Sequence, residues 1–146
     1  MSLDGDYDDN NAFALILQGK IPATRLYEDD HTLAFLDIQP QAKGHSLVIS
    51  KWSKARTILD MEEEALAQVM ATVRKVADAT RKALHPDGIQ IAQFNGAPAG
   101  QTVFHLHVHI VPRWEGGPQG FGAHAQGKFA DAADQQVLAE EIRAQF

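Results

Sequence analysis

Within residues 103–111, Val-Phe-His-Leu-His-Val-His-Ile-Val, apolar and imidazole side chains alternate without a break from Phe104 to Ile110. A period of two marks a β-strand with two unlike faces; a helix would mix these residues around its circumference. Phe104, Leu106, Val108 and Ile110 take one face, and His105, His107 and His109 take the other. Successive imidazoles in such a row would stand about 6.6 Å apart, twice the rise per residue. The strand therefore needs an apolar layer behind it. In front it needs an environment with a use for a row of imidazoles.

The chain is long enough to supply that layer, since 146 residues suffice for one domain with its own core. It contains no cysteine, which excludes disulfides, thiolate metal sites and a cysteine nucleophile. No apolar run approaches a membrane span and the acidic start is unlike a signal peptide, so a cytoplasmic location without membrane contact is expected. A net charge of −6 argues against a nucleic-acid-binding surface. Residues 88–114 hold no Asp or Glu. Buried strands would account for that, and so would an anion facing the histidines, which carboxylates would repel.

Residues 1–9 carry four aspartates and read as a disordered tail, leaving 10–146 as a single domain. Asn10 or Asn11 caps a short helix through Phe13, Leu15, Ile16 and Leu17, stopped by Gly19. Strands over 24–28, 31–38 and 45–50 form an antiparallel meander, with His45, Leu47 and Ile49 on one face of the third. The clearest helix covers 60–84, with Asp60 as N-cap, Glu63 completing a capping box, and Leu66, Val69, Met70, Val73, Val76, Ala77 and Leu84 as its apolar stripe. A strand over 89–94 and the loop 95–102 lead into the histidine strand. Residues 115–128 are Gly-rich and irregular. A last helix over 131–145 turns Val137, Leu138, Ile142 and Phe146 to one side. The fold class is α+β: a five-stranded antiparallel, meander-type sheet with a long helix packed on one face.

Three readings compete for the histidine row. Two of its members, with a third ligand such as His45, could hold a metal, although no carboxylate lies near in sequence to orient them. The row could be a solvated sheet face, where Thr, Lys, Glu and Gln are the usual choices. Or it could perform chemistry at phosphorus, a neutral imidazole attacking while its neighbours hold the phosphate oxygens. Mutual repulsion would resist full protonation of the row and keep a nucleophile neutral. Gly96, Gly100, Gln101 and Thr102, just before it, offer donors to an anion.

The stretch Ala99-Gly100-Gln101-Thr102-Val103-Phe104-His105-Leu106-His107-Val108-His109-Ile110-Val111-Pro112-Arg113 resembles the signature of the histidine-triad (HIT) family. Ile21-Pro22, Tyr27-Glu28-Asp29-Asp30, Ala34 to Pro40 and Gly44 to Ser50 extend the likeness over about residues 10–114. The resemblance implies a hydrolase or transferase acting at the α-phosphorus of a nucleotide conjugate. Its nucleophile would be His107, forming a nucleotidyl-histidine intermediate that water cleaves. His109 would bind the phosphate, the backbone of His105 would orient His107, and His45 would be the accessory histidine. Asp37 matches the acid that binds ribose hydroxyls. Phe13, Ile16, Phe35 and Ile38 match the base pocket, and Asn95, Gly100, Gln101 and Thr102 the phosphate site.

The resemblance further implies a nucleoside phosphoramidate, or a related AMP conjugate, as substrate. A dinucleoside polyphosphate is the alternative within the same class, and a nucleotide- or partner-binding module with incidental turnover is the alternative outside it. A purine nucleoside phosphate as ligand, no cofactor and a homodimer complete the expectation. Many relatives hold a structural zinc through two cysteines. Those positions fall near Asn11 and Ala14, and residues 51–54 lack a histidine, so a zinc-free protein is expected. His124 reads as a solvent-exposed loop residue, and His31 and His85 as turn residues without a role.

Overall fold

The computed structural model describes residues 2–146. Its elements in chain order are helix α1 (Ala12–Leu17), strands β1 (Arg25–Glu28), β2 (Thr32–Leu36) and β3 (Ser46–Ser50), helix α2 (Glu63–Leu84), strands β4 (Gly88–Ala92) and β5 (His107–Arg113), and helix α3 (Ala132–Arg143). The five strands form one antiparallel sheet in the order β1-β2-β3-β5-β4. The first three make the expected meander. β5 then inserts between β3 and β4, with Leu47 opposite His109, Ile49 opposite His107, and Ala92 opposite His109 on the other side. Every residue of β5 is buried.

The alternation of β5 divides the core in two. Leu106, Val108 and Ile110 join Ala34, Leu36 and Val48 beneath α2 and α3. Phe13, Ile16, Leu33, Phe35, Leu47 and Ile49 cluster on the opposite face, under α1. The long helix α2 packs on one face as expected, and the short α1 lies on the histidine side. Burying each aliphatic side chain on the α2 face contributes about 1.5–3 kcal/mol. Thr32 and Thr72 share a hydroxyl hydrogen bond of 2.7 Å that fixes α2 over β2. Gly44 has φ +87° and closes the β2–β3 connection where no side chain fits: a Cβ there would lie 2.6 Å from Leu84 Cδ1.

Several local expectations are corrected. The row 103–111 is extended only from His107 onward, since Val103–Leu106 lie outside β5. α2 begins at Glu63, after the N-cap Glu62, and Asp60 instead closes a capping box with Thr57 around a short 3-10 turn, Ile58–Asp60. Helix propensity at 60–62 yields to that turn, in which Asp60 accepts hydrogen bonds from the Arg56 and Thr57 amides. Met70 of the α2 stripe is 43% exposed, and Val137 of α3 and Phe146 beyond it are 59% and 49% exposed; of α3, Leu138, Ala139 and Ile142 join the sheet core. The N-terminal residues read as a disordered tail lie against the domain: the Tyr7 hydroxyl bonds His105 at 2.7 Å and Asp9 pairs with Lys54 at 2.8 Å. Among the described residues no helix is long and apolar enough to cross a membrane.

Candidate active site

Hydrogen bonds assign every proton on the histidine cluster. His107 Nδ1 lies 2.8 Å from the carbonyl oxygen of His105, which can only accept, so His107 carries its proton on Nδ1 and leaves a lone pair on Nε2. The Gln41 amide donates to His45 Nδ1 at 3.0 Å, so the His45 proton sits on Nε2. His45 Nε2 is 3.0 Å from His109 Nδ1 and 3.5 Å from Asp37 Oδ2. His109 Nδ1 accepts that proton in the shorter contact, which puts the His109 proton on Nε2. A nitrogen lone pair and an N–H donor thus stand side by side on rings 5.0 Å apart. Both Nε2 atoms are buried and have no hydrogen-bond partner among the described residues. Orphaned polar atoms cost stability, so a pair of them marks a place kept for something else.

These rings are neutral, and the main reason is burial rather than the mutual repulsion expected from the sequence. Loss of solvent pulls His107 down to about 3, and electrostatic repulsion with the neighbouring His124 imidazole adds to the shift. It pulls His109 to about 2, helped by the repulsion that the neighbouring imidazoles His107, His45 and His124 offer to a second proton. His45 falls to about 4 through burial, against the opposing pull of the Asp37 carboxylate. His105 also falls to about 4 through burial. Its ring is turned away from its two successors: Nε2 donates to the Ser50 carbonyl at 3.1 Å, and Nδ1 accepts from the Tyr7 hydroxyl at 2.7 Å.

Beside the histidines lies a cleft of about 170 Å³ that brings together Phe13, Ile16, Phe35, Asp37 and Ile38. Phe13 meets the His107 ring edge-on, with centroids 4.9 Å apart. Ile38 is 61% exposed and forms the rim. Asp37 is buried at the inner end, where Oδ1 accepts from the Gln39 amide at 2.8 Å and Oδ2 from His124 Nε2 at 2.9 Å. Burial pushes its carboxyl upward, but the His124 hydrogen bond and the neighbouring imidazoles outweigh that and hold it below the ordinary value.

The loop before β5 departs from expectation at two positions. Gln101 is buried and its side chain is spent inside the loop, donating to the carbonyls of Arg56 and Val103 and accepting from the Gly96 amide. Asn95 accepts from the Ile58 amide and pairs with Gln93. Both brace the loop instead of presenting donors to an anion. Gly100, at φ +103°, packs where a Cβ would lie 3.2 Å from both Ala123 Cα and Phe94. Thr102 meets the site through a 2.9 Å bond to His124 Nδ1.

His124 is not the exposed loop residue expected: it is 4% exposed, with its ring 5.0 Å from that of His107 and 4.9 Å from that of His109. Its one sequence signal was a histidine close behind the histidine strand. The Gly-rich surroundings, which usually mean solvent, hid it. Tyr7 was missed for a similar reason, as an aromatic in an acidic segment.

Metal binding can be tested on the same atoms. His107, His109 and His124, and likewise Asp37, His45 and His109, bring one potential ligand atom each within 4.8 Å of one another. Either set would require His109 to surrender its bond to His45 or the proton on Nε2. A structural zinc at the positions of the relatives' cysteines does not fit: Asn11 spends its side-chain oxygen capping α1, and Ala14 offers no ligand atom.

Comparison with known proteins identifies the family. The HIT domain family matches residues 18–116. A Hit-like protein of Bartonella henselae, whose crystal structure holds an unknown ligand, superposes with TM-score 0.88 at 43% identity, covering 97% of this chain and all of that one. A hypothetical histidine triad nucleotide-binding protein of Sulfolobus tokodaii superposes with TM-score 0.81 at 34% identity, covering 91% of this chain and 89% of that one. An adenylylsulfatase of Arabidopsis thaliana is 39% identical over 103 residues, which are 70% of this chain and 52% of that protein. With the family matched across most of the chain and the fold shared over nearly its full length, this protein belongs to the HIT family.

Proposed function

We propose that the protein is a nucleotide-binding hydrolase that cleaves nucleoside phosphoramidates, or related conjugates of a nucleoside monophosphate, through a covalent histidine intermediate. The observation that carries this reading is the His107 lone pair set beside the His109 N–H. In the first step His107 Nε2 attacks the α-phosphorus, an N–P bond forms, and the bond from phosphorus to the leaving amine breaks. The amine departs with the bonding pair and takes up a proton. In the second step water attacks the phosphorus, the N–P bond breaks, His107 regains its lone pair and one water proton is released with the nucleoside monophosphate. His109 Nε2–H donates to a phosphate oxygen throughout, and His105 holds the His107 ring through its carbonyl. Asp37 accepts from the ribose hydroxyls, and Phe13, Ile16, Phe35 and Ile38 enclose the base, a purine.

The nucleotide-binding and adenylylsulfatase relatives support the nucleotide and the hydrolysis. A homodimer is part of the proposal: β4 is an edge strand whose Ile91 is 44% exposed, and a second copy could extend the sheet there. So is a cytoplasmic location. The test is to incubate the protein with adenosine 5′-phosphoramidate and, separately, with a diadenosine polyphosphate, and to follow AMP release and the nucleotidyl-histidine adduct trapped by an alkaline quench. Faster release from the phosphoramidate, with labelled His107, is the expected result. Preference for the polyphosphate would move the protein to the alternative branch. Binding without release of AMP from either substrate would make it a binding module and overturn the proposal.

A further inference from the structure

His124 has no part in the transfer just described, yet it is the single buried residue between positions 115 and 130. All of its polar atoms with defined roles are engaged within the site. Nε2 donates to Asp37 Oδ2 at 2.9 Å, Nδ1 accepts from the Thr102 hydroxyl at 2.9 Å, and its amide donates to the Gly100 carbonyl at 3.1 Å. Three residues earlier Phe121 packs edge-on against His109 and Phe94, at centroid distances of 5.5 and 5.4 Å. Residues 121–125 therefore lie over the cluster, and the Nε2 atoms of His107 and His109 are sealed from solvent. No ligand phosphorus can reach His107 Nε2, and no ribose hydroxyl can take Asp37 Oδ2 from His124, while this segment stays in place.

The Arg113 guanidinium donates to the Pro118 carbonyl at 3.2 Å and to the Gly120 carbonyl, anchoring the start of the segment; beyond Gly120 the segment is held by contacts that water can replace. The Gln41 side chain brackets Gly122, donating to its carbonyl at 3.1 Å and accepting from its amide at 3.0 Å. Gln39 reaches the Gly127 carbonyl at 3.0 Å, and the Ala130 amide meets the Ile38 carbonyl at 2.8 Å. Ala125, next to His124, sits at φ +61°, a left-handed conformation that a residue with a Cβ adopts at a cost. Glycines at 116, 117, 120, 122 and 127 give the backbone freedom to swing. Few buried apolar contacts and strain at the tip are the features of a segment that opens locally.

The geometry points to residues 121–125 as a lid over the nucleotide site, with His124 as its latch and as a built-in competitor for Asp37. His124 presents to Asp37 the N–H donor that a ribose hydroxyl would replace, and sets its ring before His107 and His109 where a phosphate would sit. The ligand class that displaces it is a nucleoside phosphate, which brings a hydroxyl donor for Asp37 and an anion for His109 together. This inference rests on the nucleotide reading for the identity of the ligand, while the closed lid rests on the structure alone. Ligand and latch exclude each other, so apparent affinity is reduced by the fraction of molecules that are closed.

Two readouts on the full chain separate these points. The first is carbethoxylation by diethyl pyrocarbonate, which needs an accessible imidazole lone pair, followed at His107 by peptide mass spectrometry with the exposed His31 as internal reference. The second is calorimetric titration with AMP. His124→Ala should raise the His107 modification rate relative to His31 about tenfold or more and tighten AMP binding by a similar factor. Gln41→Ala, which loosens Gly122 from outside and keeps the Gln41 amide, should shift both in the same direction by less, and carries the test if His124→Ala fails to fold. Unchanged His107 reactivity in the folded variants overturns the lid, and so does weaker AMP binding by His124→Ala. If His107 becomes reactive while AMP binds to no form of the protein, the lid stands and the nucleotide reading falls.

Discussion

On the face of β5 that looks toward α2 and α3, Val108 and Ile110 are buried among Val69, Val73, Val76 and Leu138, in contacts that have area but no direction. On the opposite face of the same strand, His107 and His109 are equally buried, but each nitrogen has a prescribed partner or a conspicuous lack of one. The first face tolerates exchange of one hydrocarbon for another of similar volume. The second does not tolerate the loss of a single proton position. One strand thus carries the stability of the fold on one side and its chemistry on the other, and substitutions should separate the two.

The largest separation should come from His107→Ala. It is expected to lower the release of AMP from a phosphoramidate by on the order of 10³-fold or more, as loss of a covalent nucleophile does, with thermal stability at neutral pH retained. Steady-state turnover alongside a melting curve checks this, and turnover within tenfold of wild type would remove His107 from the role of nucleophile.

The next effect belongs to pH. His45, His105, His107 and His109 have folded-state values of about 4, 4, 3 and 2, against 6.5 when unfolded. Below pH 6.5 the unfolded chain binds protons that the folded chain refuses. Stability from these groups is therefore complete above pH 6.5 and is lost as pH falls toward 4 and, for His107 and His109, further to 3 and 2. Each group contributes a slope of about 1.4 kcal/mol per pH unit within its window. Denaturant midpoints at pH 7.5, 6 and 5 should fall steeply, and a flat profile would contradict burial of the neutral rings.

Ile110→Ala tests the other face. Truncating a fully buried aliphatic residue should cost about 2–5 kcal/mol in denaturant unfolding and leave the slope of stability against pH unchanged. A changed slope would mean that the two faces are coupled. The smallest effect expected is that of Tyr7→Phe, which leaves His105 Nδ1 without its donor and should cost about 1 kcal/mol. A loss of AMP release larger than the loss of stability would show that the Tyr7–His105 contact orients His107 as well.

The apolar face was legible in the sequence because burial leaves a periodic trace. Val69, Val73 and Val76 recur at helical spacing, and Val108 and Ile110 alternate with histidines. Asp37, Phe35, Phe13 and Ile16 could be placed only through the family resemblance, since a lone Asp or Phe has no spacing of its own, and the fold does gather them at one cleft. Gln101 and Asn95 matched the family pattern, yet their hydrogen bonds run inward, a distinction that residue identity does not encode. His124 was lost because its partners, Asp37 and Thr102, are 87 and 22 positions away and it lies in a Gly-rich stretch.

The amide of Gln41 carries a consequence out of proportion to its size. By donating to His45 it sends a proton preference through two rings to His109, so the polarity of the site is written in the backbone rather than in any side chain. Nineteen of the twenty amino acids at position 41 would deliver the same instruction, and proline, lacking the amide, would erase it. Proline already stands one residue earlier, at position 40. Exchanging the order of two adjacent residues, neither of which touches the reacting phosphorus, would remove that backbone donor and leave the 3.5 Å contact with Asp37 alone to keep the His45 proton on Nε2.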